Sequence, residues 1–169
     1  IVAHRFGRAV SETAIREAQR QLQVAMEVNR EASLDFDLRL AFRNAELMEM
    51  LGNTAIALRE YEAVAAAPES AATTLVIIHA NVALGRLHLR RGRHAKAEAC
   101  FARAESSAVL NKHTDDAFEA YFGLLQVALA TSNGRAQYLI ARCERYLPLV
   151  QARTPSVLAF ERLRHAGGA

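Results

Sequence analysis

A chain that repeats itself at a fixed interval folds as a series of like units, and this one repeats at about 40 residues. The recurring pattern is a small residue, three others, a large apolar or aromatic residue, two others, then a small or apolar residue. On a helix those three positions form one stripe. The pattern occurs at Ala18, Leu22 and Ala25, at Ala57, Tyr61 and Val64, at Ala97, Phe101 and Ala104, and at Ala136, Ile140 and Cys143. Successive starts lie 39, 40 and 39 residues apart. One such match is cheap in an alanine-rich chain, but four in register are not. With only three prolines and eight glycines in 169 residues, 51% of them hydrophobic, the chain is neither collagenous nor disordered nor a turn-rich β protein.

Between the stripes lie turn signals. Gly52 and Gly92 each stand five residues before a stripe begins, and Thr131-Ser132-Asn133-Gly134 takes that place in the last unit. Glycine and asparagine tolerate the left-handed conformation that ends a helix. Each unit is therefore expected to be helix, short turn, helix, and the pairs must stack because one pair cannot bury both its faces. The spacing predicts helices over 9–32, with Ser11 as N-cap, and over 34–51, 53–67, 71–91, 94–107, 114–130, 135–147 and 155–165, the last opening on Pro155. The expected fold is all-α, a single domain made of a half unit (9–33), three units (34–70, 71–110 and 113–148) and a C-terminal helix. Opening inside a unit at Ile1 and ending on Gly167-Gly168, it reads as a section of a longer protein.

Leu84-Gly85, Gly92, Ala97, Phe101 and Ala104 in the middle unit resemble the tetratricopeptide repeat. In the unit before it, Ala45, Gly52, Ala57, Tyr61 and Pro68 follow the same scheme, as do Gly123, Ala136, Ile140 and Pro148 in the unit after. The resemblance runs from Ala14 to Pro148. The units are longer than the family's usual length of about 34 residues. In that they are similar to repeats of bacterial transcription regulators and of signalling proteins that carry a helical sensor ahead of an output domain. The resemblance implies a superhelical stack of antiparallel helix pairs, whose first helices line a concave face that takes a protein or peptide partner. Transferred to this chain, the family's groove positions select Arg39, Phe42, Arg43, Glu46 and Glu49, then His79, Val82, Ala83, Arg86 and Arg90. In the third unit they select Phe118, Tyr121, Phe122 and Leu125, or a set shifted by one if the turn before Arg135 holds an extra residue.

The implied binding residues are thus Arg39, Arg43, Glu46, His79, Arg86, Arg90, Tyr121 and Phe122, giving a groove basic in its middle and aromatic at its C-terminal end. Arginine's planar fork suits carboxylates and aromatic rings offer an apolar shelf. The alternative for Tyr121 and Phe122 is burial in the core, the commoner fate of aromatics at helical spacing. A self-associating element, pairing exposed stripes into a homodimer, is the other reading of such a stack.

Other chemistry finds little footing. Net charge is +3, and the basic residues are 19 Arg against Lys96 and Lys112. Arg86, Arg90, Arg91, Arg93, His94 and Lys96 surround one turn, where phosphate contact is conceivable. No aromatic interleaves with them and acids follow at once, so a solvated turn is expected and nucleic-acid binding by this domain is not. His88, His94 and Cys100 share no helical face, so no metal is expected. Cys100 and Cys143 read as reduced core residues of a cytoplasmic protein. There is no Gly-x-Ser-x-Gly, no phosphate-binding glycine loop and no apolar run long enough for a membrane, and neither catalysis nor a cofactor is expected.

Overall fold

The computed structural model describes residues 12–28 and 34–167, and those residues are all-α. Ser11 and the ends of the 9–33 half unit lie outside them. In chain order the helices are α1 (Glu12–Val28), α2 (Leu34–Met50), α3 (Thr54–Ala65), α4 (Thr74–Arg90), α5 (His94–Leu110), α6 (Thr114–Ala130), α7 (Ala136–Tyr146) and α8 (Pro155–Gly167), with a 3-10 turn at Leu147–Leu149. Beyond α1, the observed bounds depart from the expected ones by three residues at most. The chain divides into two compact units, residues 1–80 and 81–169, with the division inside α4.

The turns explain the period. Gly52 (φ +81°), Gly92 (φ +66°) and Ser132 (φ +51°) occupy the left-handed position after α2, α4 and α6, 40 residues apart each time. After each, a backbone N–H reaches back across the turn, from Asn53 to Met48 O (2.8 Å), Arg93 to His88 O (2.9 Å) and Asn133 to Ala128 O (3.1 Å). This is the hydrogen bonding of a left-handed helix cap. In the third unit Ser132, not Gly134, holds that position, and residues 131–135 separate α6 from α7 where 51–53 and 91–93 suffice elsewhere. The longer turn rotates α7: Leu139 (1% exposed) faces inward in place of Ile140, while Cys143 keeps its expected burial. The stripe expected in α1 also shifts, with Ile15 buried and Ala18 exposed.

In the first unit α2 buries Leu38, Phe42, Ala45 and Met48, and α3 answers with Ala57, Leu58, Tyr61 and Val64. Spacings of three and four make each set one face. Phe42 and Tyr61 meet ring to ring at 5.4 Å. In the second unit α6 is covered on most of its circumference, from Ala117 through Ala128 except Glu119 and Gln126. It packs against α5, α7 and α8. An otherwise apolar helix is at home there.

At the centre of that unit stands Phe101, fully buried. A Cβ built on Gly85 of α4 would lie 2.7 Å from its ring, and one on Gly123 of α6 only 2.3 Å. Both helices therefore approach the same three carbons of one ring through bare backbone. Replacing Gly123 with Ala gains about 1 kcal/mol of helix propensity but overpacks a site that cannot yield, at a typical cost of about 1–3 kcal/mol. We expect net destabilisation in urea unfolding, larger for Gly123→Ala than for Gly85→Ala, and partial recovery when Phe101→Leu is combined with Gly123→Ala. An additive double variant would show that the ring is not the obstacle.

Candidate functional site

The sequence-selected residues fall in different surroundings. On α2, Arg39 and Arg43 extend into solvent, their side chains 60% and 63% exposed. Each meets an acid of its own helix, Arg39 Nε to Asp35 Oδ1 at 2.9 Å and Arg43 Nη1 to Glu46 Oε2 at 2.6 Å. Exposed intrahelical pairs of this kind are worth only a few tenths of a kcal/mol, so they exchange readily for another carboxylate. The Arg43 guanidinium stands 5.7 Å from the Phe42 ring centroid, and the His79 ring lies 5.9 Å from it, tilted by 43°. Arg39, Phe42, Arg43, Glu46 and His79 thus form one neighbourhood in the first unit.

In the second unit the expectation of a basic middle and an aromatic shelf is corrected. Arg90 is exposed at the end of α4, but Arg86 is engaged within the fold. Its guanidinium donates to Glu119 on α6, whose side chain is only 11% exposed. Tyr121 and Phe122 are 4% and 6% exposed. Phe122 lies against Phe118 (6.3 Å) and Phe160 of α8 (6.2 Å), and Phe160 also meets Phe118 edge-on at 5.9 Å. Tyr121 donates to Glu105 Oε1 at 2.6 Å and packs against Tyr146, while Arg142 stacks between the rings of Tyr121 and Tyr138. Burial, and then the bond to Glu105, hold the Tyr121 phenol above its usual range. Neither ring offers a shelf, because α7 and α8 cover them.

Sequence reasoning missed the polar knot around Glu119. Thr154 Oγ1 donates to Glu119 Oε1 and Ser156 Oγ to Glu119 Oε2, both at 2.6 Å, and Ser156 also lies 3.4 Å from Arg86 Nη2. Thr154 Oγ1 in turn accepts the Val157 N–H at 3.3 Å, which makes it the N-cap of α8 with Pro155 as first helical residue. Asp115 Oδ1 accepts the Gln151 N–H at 3.1 Å and pins the preceding loop. A signal was present: Glu119 is the single charge in residues 117–130, and a lone charge on a buried helix must find partners.

Among the described residues no group of three or more His, Cys, Asp or Glu side chains converges as a metal site would, and no described helix is long and apolar enough to cross a membrane. Cys100 and Cys143 are buried free thiols. Burial, and then the nearby Glu144 carboxylate, push the Cys143 thiol from 9.0 up to about 12. Compared with protein-family models, curated proteins and solved structures, the chain matches none.

Two predictions follow from these arrangements. Glu119→Ala strands two hydroxyls and a guanidinium, and should cost about 2–3 kcal/mol with faster hydrogen exchange concentrated in residues 155–166. Glu119→Gln, which keeps an acceptor, should lose about half as much; equal losses would assign the effect to packing alone. The Cys143 thiol is neutral when folded and ionises more easily when unfolded. Its contribution is therefore complete below about pH 9 and declines towards pH 12, by up to about 1.4 kcal/mol per pH unit. Tyr121 adds a loss of the same sign above its ordinary range. Cys143→Ala, which installs the residue found at the equivalent Ala104, should flatten the fall in urea midpoint between about pH 8 and about pH 10.5. An unchanged slope would exclude Cys143 as its source.

Proposed function

We propose that the chain is a protein- or peptide-binding module, of the tetratricopeptide kind, working within a bacterial regulatory or signalling protein of the cytoplasm. It binds rather than catalyses. The observation that carries this reading is the outer face of α2, where two exposed arginines are held only by exchangeable pairs to Asp35 and Glu46, and one of them, Arg43, stands over the Phe42 ring. A peptide laid there would trade those intrahelical carboxylates for its own. The three turns at Gly52, Gly92 and Ser132, equally spaced along the chain, add the regularity on which the repeat reading rests.

Arg86 has no part in such a face, because reversing its charge would break the Glu119 knot and test stability instead of binding. The discriminating variant is Arg39→Glu with Arg43→Glu. Peptides selected from a random display library against the native chain should bind this double variant about tenfold or more weakly. Its helical circular dichroism should be unchanged, since both side chains are exposed, and Tyr121→Phe should leave binding intact. Undiminished binding by the double variant would refute the α2 face as the site.

A further inference from the structure

We infer that the turn between α4 and α5 is a second docking site, independent of the α2 face, for an acidic protein segment held by Arg91, Arg93 and Lys96. All three residues are exposed, and none meets an acid among the described residues. The first acid to follow in sequence, Glu98, is engaged by Arg135 Nη1 at 2.7 Å and so does not neutralise them. By contrast Arg39, Arg43, Arg86, Arg135 and Arg153 each meet a carboxylate. The turn thus places three exposed cations within six residues with no acid set against them.

The repeat itself does not ask for cations there. Forty residues earlier the same three positions are Leu51, Asn53 and Ile56, and forty residues later they are Thr131, Asn133 and Ala136. Those turns close with the same backbone hydrogen bonds, so the charges serve no part of the turn's construction. The backbone that displays them is fixed: Gly92 sits at φ +66°, its N–H bonds Leu89 O at 2.9 Å, and the Arg93 N–H bonds His88 O at 2.9 Å. A partner would order side chains here but not the main chain, which lowers the cost of binding.

The composition of the turn selects the partner. Duplex binders neutralise about 6–10 phosphates, a larger footprint than three cations within six residues. No Phe, Tyr or Trp lies between Leu89 and Cys100 to serve as a base-stacking platform, and residues 90–96 include no large apolar side chain to enter a bilayer. What remains is a few planar guanidiniums and an ammonium at short spacing, matched by carboxylates on a short Asp- and Glu-rich stretch.

The test is the anisotropy of a fluorescein-labelled octaglutamate peptide titrated with the full chain, at about 50 mM and about 150 mM salt. Binding should weaken several-fold as salt rises, and should fall about tenfold or more in the variant Arg91→Glu, Arg93→Glu, Lys96→Glu. It should be unchanged in Arg162→Glu with Arg164→Glu, which reverses two exposed cations of α8 away from this turn. The milder replacement of the same three residues by Ala, checked for native helicity, gives the same reading if charge reversal impairs folding. Failure of the wild type to bind, equal binding by the neutralised variant, or an equal loss in the Arg162, Arg164 variant would overturn the inference. So would tighter binding of a DNA duplex or of phosphatidylglycerol vesicles than of the peptide.

Discussion

The second compact unit is organised about one ring. Phe101 is sealed between α4 and α6 because each helix offers it a glycine, and no other residue fits at either contact without displacing something. Dense interiors transmit such constraints: with the ring fixed, the distance between α4 and α6 is fixed, and with it the place where Arg86 can reach Glu119. The polar contacts therefore depend on the apolar one. Ala45 and Tyr61, both buried, hold the corresponding positions in the first unit, where a methyl group on α2 takes the place of the glycine.

The burial pattern also decides which charges are available for binding. An arginine that reaches a carboxylate which is itself buried is committed to the fold, since separating the pair leaves an uncompensated charge in a poorly solvated place. Arg86 is of this class. Arg39 and Arg43, paired in the open on their own helix, are not. Counting arginines along a groove therefore misjudges it, and sorting them by what their partner would lose gives a different and smaller surface.

Helix positions were legible in the sequence because they depend on local chemistry. The left-handed turn residues and the three- and four-residue spacing of apolar side chains act within a few residues, so α2 through α8 lie close to where periodicity puts them. The register of α7 was not legible, because a turn lengthened to five residues rotates the helix by an amount that spacing alone does not specify. Nor was the fate of Tyr121 and Phe122, which turns on α7 and α8 folding back over α6. The Glu119 knot joins residues 33 to 37 positions apart, and nothing local marks Ser156 or Arg86 as its members. Only the lone acid and the Thr154-Pro155 cap gave a hint.

That knot also settles a matter the rings cannot. Phe118 and Phe122 lie nearly parallel one turn apart, at an interplanar angle of 7°, and both receive the edge of Phe160. Apolar contact of this sort is non-directional, and by itself would accept α8 displaced by a turn or reversed end to end. Glu119 accepts only one of these arrangements. It bonds hydroxyls at the N-cap and second position of α8, where the helix presents its positive end, so the carboxylate is favoured by the macrodipole as well as by its donors. Reversed, α8 would bring unsatisfied carbonyls and a partial negative charge to a buried acid. The phenylalanines thus supply most of the attraction that holds α8, and a single carboxylate supplies its direction.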